Sequence, residues 1–162
     1  MRYEILVAAA LLLTPLAASA HVTLTETSAA PGAHYLAHFR VGHGCSGSPT
    51  TGLSIAIPNG VSGVDAQAVP GWMLETSNIG ARVSAVTWKG GSLDAKTLGE
   101  FAVAMILPSK PGALAFVATQ TCAVGSASWS EVPPPGEKSS HPAPILYVGV
   151  PAPKVDGMAP GM

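Results

Sequence analysis

Charge is scarce in this 162-residue chain: Asp, Glu, Lys and Arg make up 10% of it and sum to a formal charge of −1. No basic block is present to hold phosphate, so nucleic acid is not an expected partner. Only two cysteines occur, Cys45 and Cys122, and they do not form a C-x-x-C pair. Without that compact spacing a thiolate metal site is disfavoured. The chain has no G-x-S-x-G and no phosphate-binding glycine loop, so Ser or Cys nucleophilic catalysis has no support and the chain is not expected to be an enzyme. No stretch carries apolar residues at i, i+3, i+4, i+7 for long enough to predict a helix. Beyond the first twenty residues nothing is apolar for the ~20 residues a membrane span requires, so the mature chain is expected to have no membrane span.

What is present begins with a leader. Met1-Arg2-Tyr3-Glu4 carries a positive charge, and Ile5 to Ala17 is made almost wholly of Leu, Ala and Val. Ala18-Ser19-Ala20 then puts small residues where a signal peptidase needs them. The apolar run is shorter than a span and is interrupted by Pro15, which favours a cleaved signal over an anchor. Residues 1–20 are therefore read as a signal peptide, and His21 as the first residue of an exported, periplasmic protein. Outside the cytoplasm an isolated cysteine pair is most simply a disulfide, here Cys45–Cys122.

The mature chain is rich in Gly and Pro, with 18 and 15 residues in the full sequence, a composition that favours short strands joined by turns. Strands are predicted at Val22–Thr25, His34–Val41, Gly52–Pro58, Trp72–Ser77, Arg82–Trp88, Glu100–Leu107, Ala113–Thr121, around Ser126–Glu131, and Ile145–Val150. Val132 to Pro142, with its run Pro133-Pro134-Pro135, reads as an exposed loop, and residues 151–162 as a disordered tail. An all-β sandwich or barrel over residues 21–150 follows.

His21 differs in kind from the other four histidines. Its free α-amine and Nδ1 would close a chelate ring on one ion, and two nitrogens from one residue suit Cu(II) well. His34 and His38 lie four apart on one strand face and read as partly exposed strand residues. His43 sits in the loop Gly42-His43-Gly44-Cys45, which could approach a ligand but reads first as structural, and His141 reads as solvated. Trp72, Trp88 and Trp129 are by default packing aromatics, and Glu100 a solvated edge carboxylate.

Several segments together resemble a known family. His21-Val22-Thr23-Leu24, Gly42 to Thr50, Pro70-Gly71-Trp72, Thr87 to Gly91, Glu100-Phe101, Gln120-Thr121-Cys122, Trp129 and Pro142-Ala143-Pro144 match, in order, the YcnI-like copper-binding domain. Cys45 and Cys122 resemble its cysteine-containing branch. The resemblance implies an immunoglobulin-like or cupredoxin-like β-sandwich. It also implies a Cu(II) site in which His21 gives amine and imidazole nitrogen, Glu100 gives oxygen, and Trp129 lies close by. The expected role is copper acquisition, trafficking or homeostasis, with other periplasmic copper-handling proteins as candidate partners. Two alternatives stay open: a copper monooxygenase, in which a second histidine such as His34, His38 or His43 would converge on His21, and a metal-free interaction sandwich. Met158 and Met162 in the tail are soft donors suited to Cu(I).

Overall fold

Alternation along the strands sets the architecture. In His34–Val41 the side chains of Tyr35, Ala37, Phe39 and Val41 are buried, while His34, Leu36, His38 and Arg40 face outward. That period-2 pattern is what a sheet with one face on a core requires. The fold is known from a computed structural model that describes residues 21–134 and 137–153. The predicted signal peptide, Met158 and Met162 lie outside the described residues.

Twelve strands are present among the described residues: β1 (Val22–Leu24), β2 (Ser28–Ala29), β3 (His34–Val41), β4 (Thr50–Ala56), β5 (Ser62–Ala66), β6 (Met73–Ile79), β7 (Arg82–Leu93), β8 (Gly99–Ile106), β9 (Gly112–Ala115), β10 (Ala118–Cys122), β11 (Ser126–Trp129) and β12 (Ile145–Val148). They form a four-stranded sheet β1-β3-β8-β5, a five-stranded sheet β11-β10-β4-β7-β6 and a three-stranded sheet β2-β12-β9. Every pairing is antiparallel except β12 with β2. The protein is an all-β sandwich, as expected. Phe39 and Phe101 of the first sheet, Leu53, Ile55 and Trp88 of the second, Phe116, and Leu146 of the third are at most 2% exposed in one continuous core.

Three departures from the sequence reading have physical causes. The strand expected over Ala113–Thr121 is two, β9 and β10, which belong to different sheets. Between them Phe116 is fully buried, and the chain crosses over: the Phe116 N–H donates to Pro144 O, while the Ala56 N–H donates to Val117 O. One apolar run reads as one strand because period alone cannot tell which sheet each half joins. The two short strands β2 and β5 carry too few apolar residues to announce themselves. Their pairing is imposed by neighbours: β5 lies on β8, with a register shift between Ser62 and Asp65. As a result β8 is an interior strand, and Glu100 is not on an edge strand as expected.

The Cys45–Cys122 disulfide is formed, with a Cα–Cα distance of 6.0 Å. It joins the loop after β3 to the end of β10. That loop turns tightly, with Ser46 at φ 47° and Gly47 at φ 82°. Gly44 is obligatory there, because a Cβ would sit 1.8 Å from the Ser48 carbonyl oxygen. Beneath it, fully buried Gln120 donates from Nε2 to His43 O at 2.9 Å and to Thr50 Oγ1 at 2.8 Å.

Candidate metal centre

His21 immediately precedes β1, which pairs with β3 in the register Val22↔Val41 and forms one edge of the four-stranded sheet. The chain leaving β3 therefore runs back past His21, and a Cβ placed on Gly42 would lie 3.9 Å from the His21 carbonyl oxygen. The His21 imidazole is half-buried against the indole of Trp129, with ring centroids 5.3 Å apart and planes tilted by 38°. Trp129 closes β11, an edge strand of the five-stranded sheet, and is 2% exposed. Two edges from different sheets, 108 positions apart by residue number, thus bring together the two aromatic residues singled out in the sequence.

A third ring joins them. His141 lies 5.1 Å from Trp129, tilted by 35°. Expected to be simply solvated, it is exposed but tied down. Its carbonyl accepts from the N–H groups of Ser130 (3.1 Å) and Glu131 (3.0 Å). Its own N–H donates to Glu131 Oε2 at 3.1 Å, and Ser139 Oγ donates to the same oxygen. Glu131 therefore closes the loop between β11 and β12. The Ser139 hydroxyl and then the His141 backbone N–H hold its carboxyl below the usual range. No sequence signal marked His141, since its place depends on how a long loop returns.

Glu100 is occupied elsewhere. It sits in β8 opposite Arg40 of β3, exposed on the outer face of that sheet. His38 Nδ1 is 2.8 Å from its Oε1, and Arg40 Nε donates to Oε2 at 3.1 Å. The Arg40 guanidinium first, then His38, lower its pKa. Both bonds favour the ionised carboxylate, the form a metal needs. His34 is an exposed residue at the far end of β3, paired with Ile106. His43 is half-buried in the disulfide loop. Trp88 is structural, fully buried and donating from Nε1 to Gln67 O at 2.8 Å.

Among the described residues no group of three or more His, Cys, Asp or Glu side chains is gathered to hold a metal. A metal here must draw on a different kind of donor. The nitrogen of His21 is one: a peptide nitrogen in the uncut chain, it would become a basic amine if the chain were cleaved after Ala20. The buried Nε1–H of Trp129 has no hydrogen-bond acceptor among the described residues. Buried donors are rarely left so, and an oxygen ligand on an ion at His21 would give this one an acceptor.

The profile described as a domain of unknown function (DUF1775) matches residues 21–148, starting at the proposed mature N-terminus. A crystal structure of a protein from Nocardia farcinica, described as having an immunoglobulin-like fold, is similar, with a TM-score of 0.69 and 27% identity. The similarity covers 80% of this chain and 99% of that one. No curated protein matches.

Proposed function

This chain belongs to the DUF1775 family, to which YcnI-like proteins also belong, and from its candidate metal centre we propose that it is an exported protein that binds one Cu(II) through the N-terminal histidine of its mature form. The observation that carries the reading is the packing of His21 on buried Trp129, at the residue where the family domain begins and where the leader expected from the sequence would be cut. In the proposed site the α-amine and Nδ1 of His21 chelate the ion and Glu100 adds a carboxylate oxygen. Trp129 walls one side. The protein would take up, buffer or hand on copper in the periplasm, with copper as cargo.

For Glu100 to reach the ion it must exchange His38 and Arg40 for the metal. Both pairs are exposed, and exposed pairs are weak, so breaking them sets only a small cost against the exchange. Glu100→Gln removes the charge and should lower Cu(II) affinity about 10–100-fold. Glu131→Gln, which only loosens the loop, should have the smaller effect. Competition titrations of the two variants test the assignment, and a larger loss at Glu131 would overturn Glu100 as the carboxylate ligand.

A copper monooxygenase is the second reading, favoured by one observation: a second imidazole, His141, shares the Trp129 ring. Oxidation state separates the two. Nitrogen and oxygen donors favour Cu(II), whereas Cu(I) prefers sulfur. Under ascorbate a carrier with this donor set should loosen its grip by orders of magnitude and oxidise no added polysaccharide. Tight Cu(I) retention with reductant-dependent turnover would establish the enzyme instead.

A further inference from the structure

Resting on the Cu(II) reading above, we propose that His141 supplies a further nitrogen, through Nε2, to the ion chelated by His21. His21 and His141 approach the same indole, within 5.3 and 5.1 Å of its centroid, from segments remote in sequence. The two nitrogens of His141 differ. Nδ1 shares a hydrogen bond with Ser140 Oγ at 3.0 Å, while Nε2 has no hydrogen-bond partner among the described residues. A ring hydrogen-bonded at one nitrogen, with the other left open, is the arrangement metal-binding histidines usually have.

The backbone is arranged for the same end. The loop from Val132 carries exposed Pro134 and 58%-exposed Val132. Its return is pinned at Glu131. The bridge between Glu131 and Pro142 and the bond from the Ala143 N–H to Glu131 O at 2.8 Å fix the residues that follow His141, and the Glu131 carboxylate accepts from the His141 N–H itself. The effect is to keep one imidazole against the indole that His21 also touches. As an exposed side chain, His141 can turn about its own χ angles to meet an ion. Cu(II) readily takes several nitrogens and an oxygen in a tetragonal set.

The alternative is that His141 only packs on Trp129, and one pair of variants separates the two roles. His141→Phe keeps an aromatic ring against the indole but has no donor, and His141→Ala removes both. The mature protein, cleaved at His21, is titrated with Cu(II) against a chelator of known affinity. Its nitrogen ligands are counted by electron paramagnetic resonance with 15N-labelled histidine. The expected result is a loss of about 10–100-fold in affinity and of one histidine nitrogen in both variants, with thermal unfolding unchanged in His141→Phe. Wild-type affinity and nitrogen count in His141→Phe would reduce His141 to a packing partner and leave the copper reading intact. If the unaltered mature protein binds no Cu(II), the copper reading falls, and this proposal with it.

Discussion

One glycine left ahead of His21 should abolish tight Cu(II) binding by the mature protein. The extra residue converts the α-amine into an amide. An amine titrates at about pH 7.7–8, so copper displaces its proton at neutral pH, whereas an amide nitrogen is not basic. The chelate ring is lost with it, and His21 becomes a single imidazole on an edge strand. Losing one donor or its support typically lowers affinity about 10–100-fold, and here a donor and a ring are lost together, so the drop should exceed that range. Folding should be unaffected, because β1 starts at Val22 and its pairing with Val41 is independent of what precedes it. Chelator competition on the two forms, produced with matching cleavage, measures the difference. Equal affinities would end the N-terminal chelate.

Removing the Cys45–Cys122 bridge should have the largest effect on stability. The cysteines are 77 residues apart, so the bond closes a long loop in the unfolded chain. In the chain-entropy model such a loop contributes about 4 kcal/mol, and losing a native disulfide from a small secreted domain typically costs about 2–5 kcal/mol. The bond also holds the Gly42–Gly47 segment, where the Cys45 N–H donates to Cys122 Sγ at 3.0 Å. In a Cys45→Ala/Cys122→Ala protein the thermal midpoint should fall by roughly 10 °C. Denaturant unfolding should give the matching loss of free energy. A change below about 1 kcal/mol would mean that the Gln120–Thr50–His43 hydrogen bonds hold this end of the sandwich without the bridge.

The main strands could be read from the sequence because their side chains alternate. The buried set Tyr35, Ala37, Phe39 and Val41 specifies β3 whatever surrounds it. β5 could not, since its burial pattern shows no clear inward face and only pairing with β8 makes it a strand. His21 was evident as a candidate because covalent chemistry alone, a cleavage after Ala20, distinguishes it from other histidines. Trp129 came from the family resemblance, and in the structure its ring meets His21. His141 had no such marker: its neighbours in sequence are Ser and Pro, and nothing local says that the loop returns to β11.

Residue pattern alone was enough for the all-β character and for the cysteine pair available to form a bridge, and it marked His21 as the residue on which the proposed chelate is built. These follow from local properties: side-chain period, residue count and the small residues before His21. The folded chain was needed to see that Ala113–Thr121 divides between two sheets, that Glu100 is held by His38 and Arg40 on an interior strand, and that His141 and His21 both lie against the Trp129 indole. Each of these depends on contacts between segments distant along the chain. Such contacts are set by which buried faces find one another, and that information is not carried by any single stretch of residues.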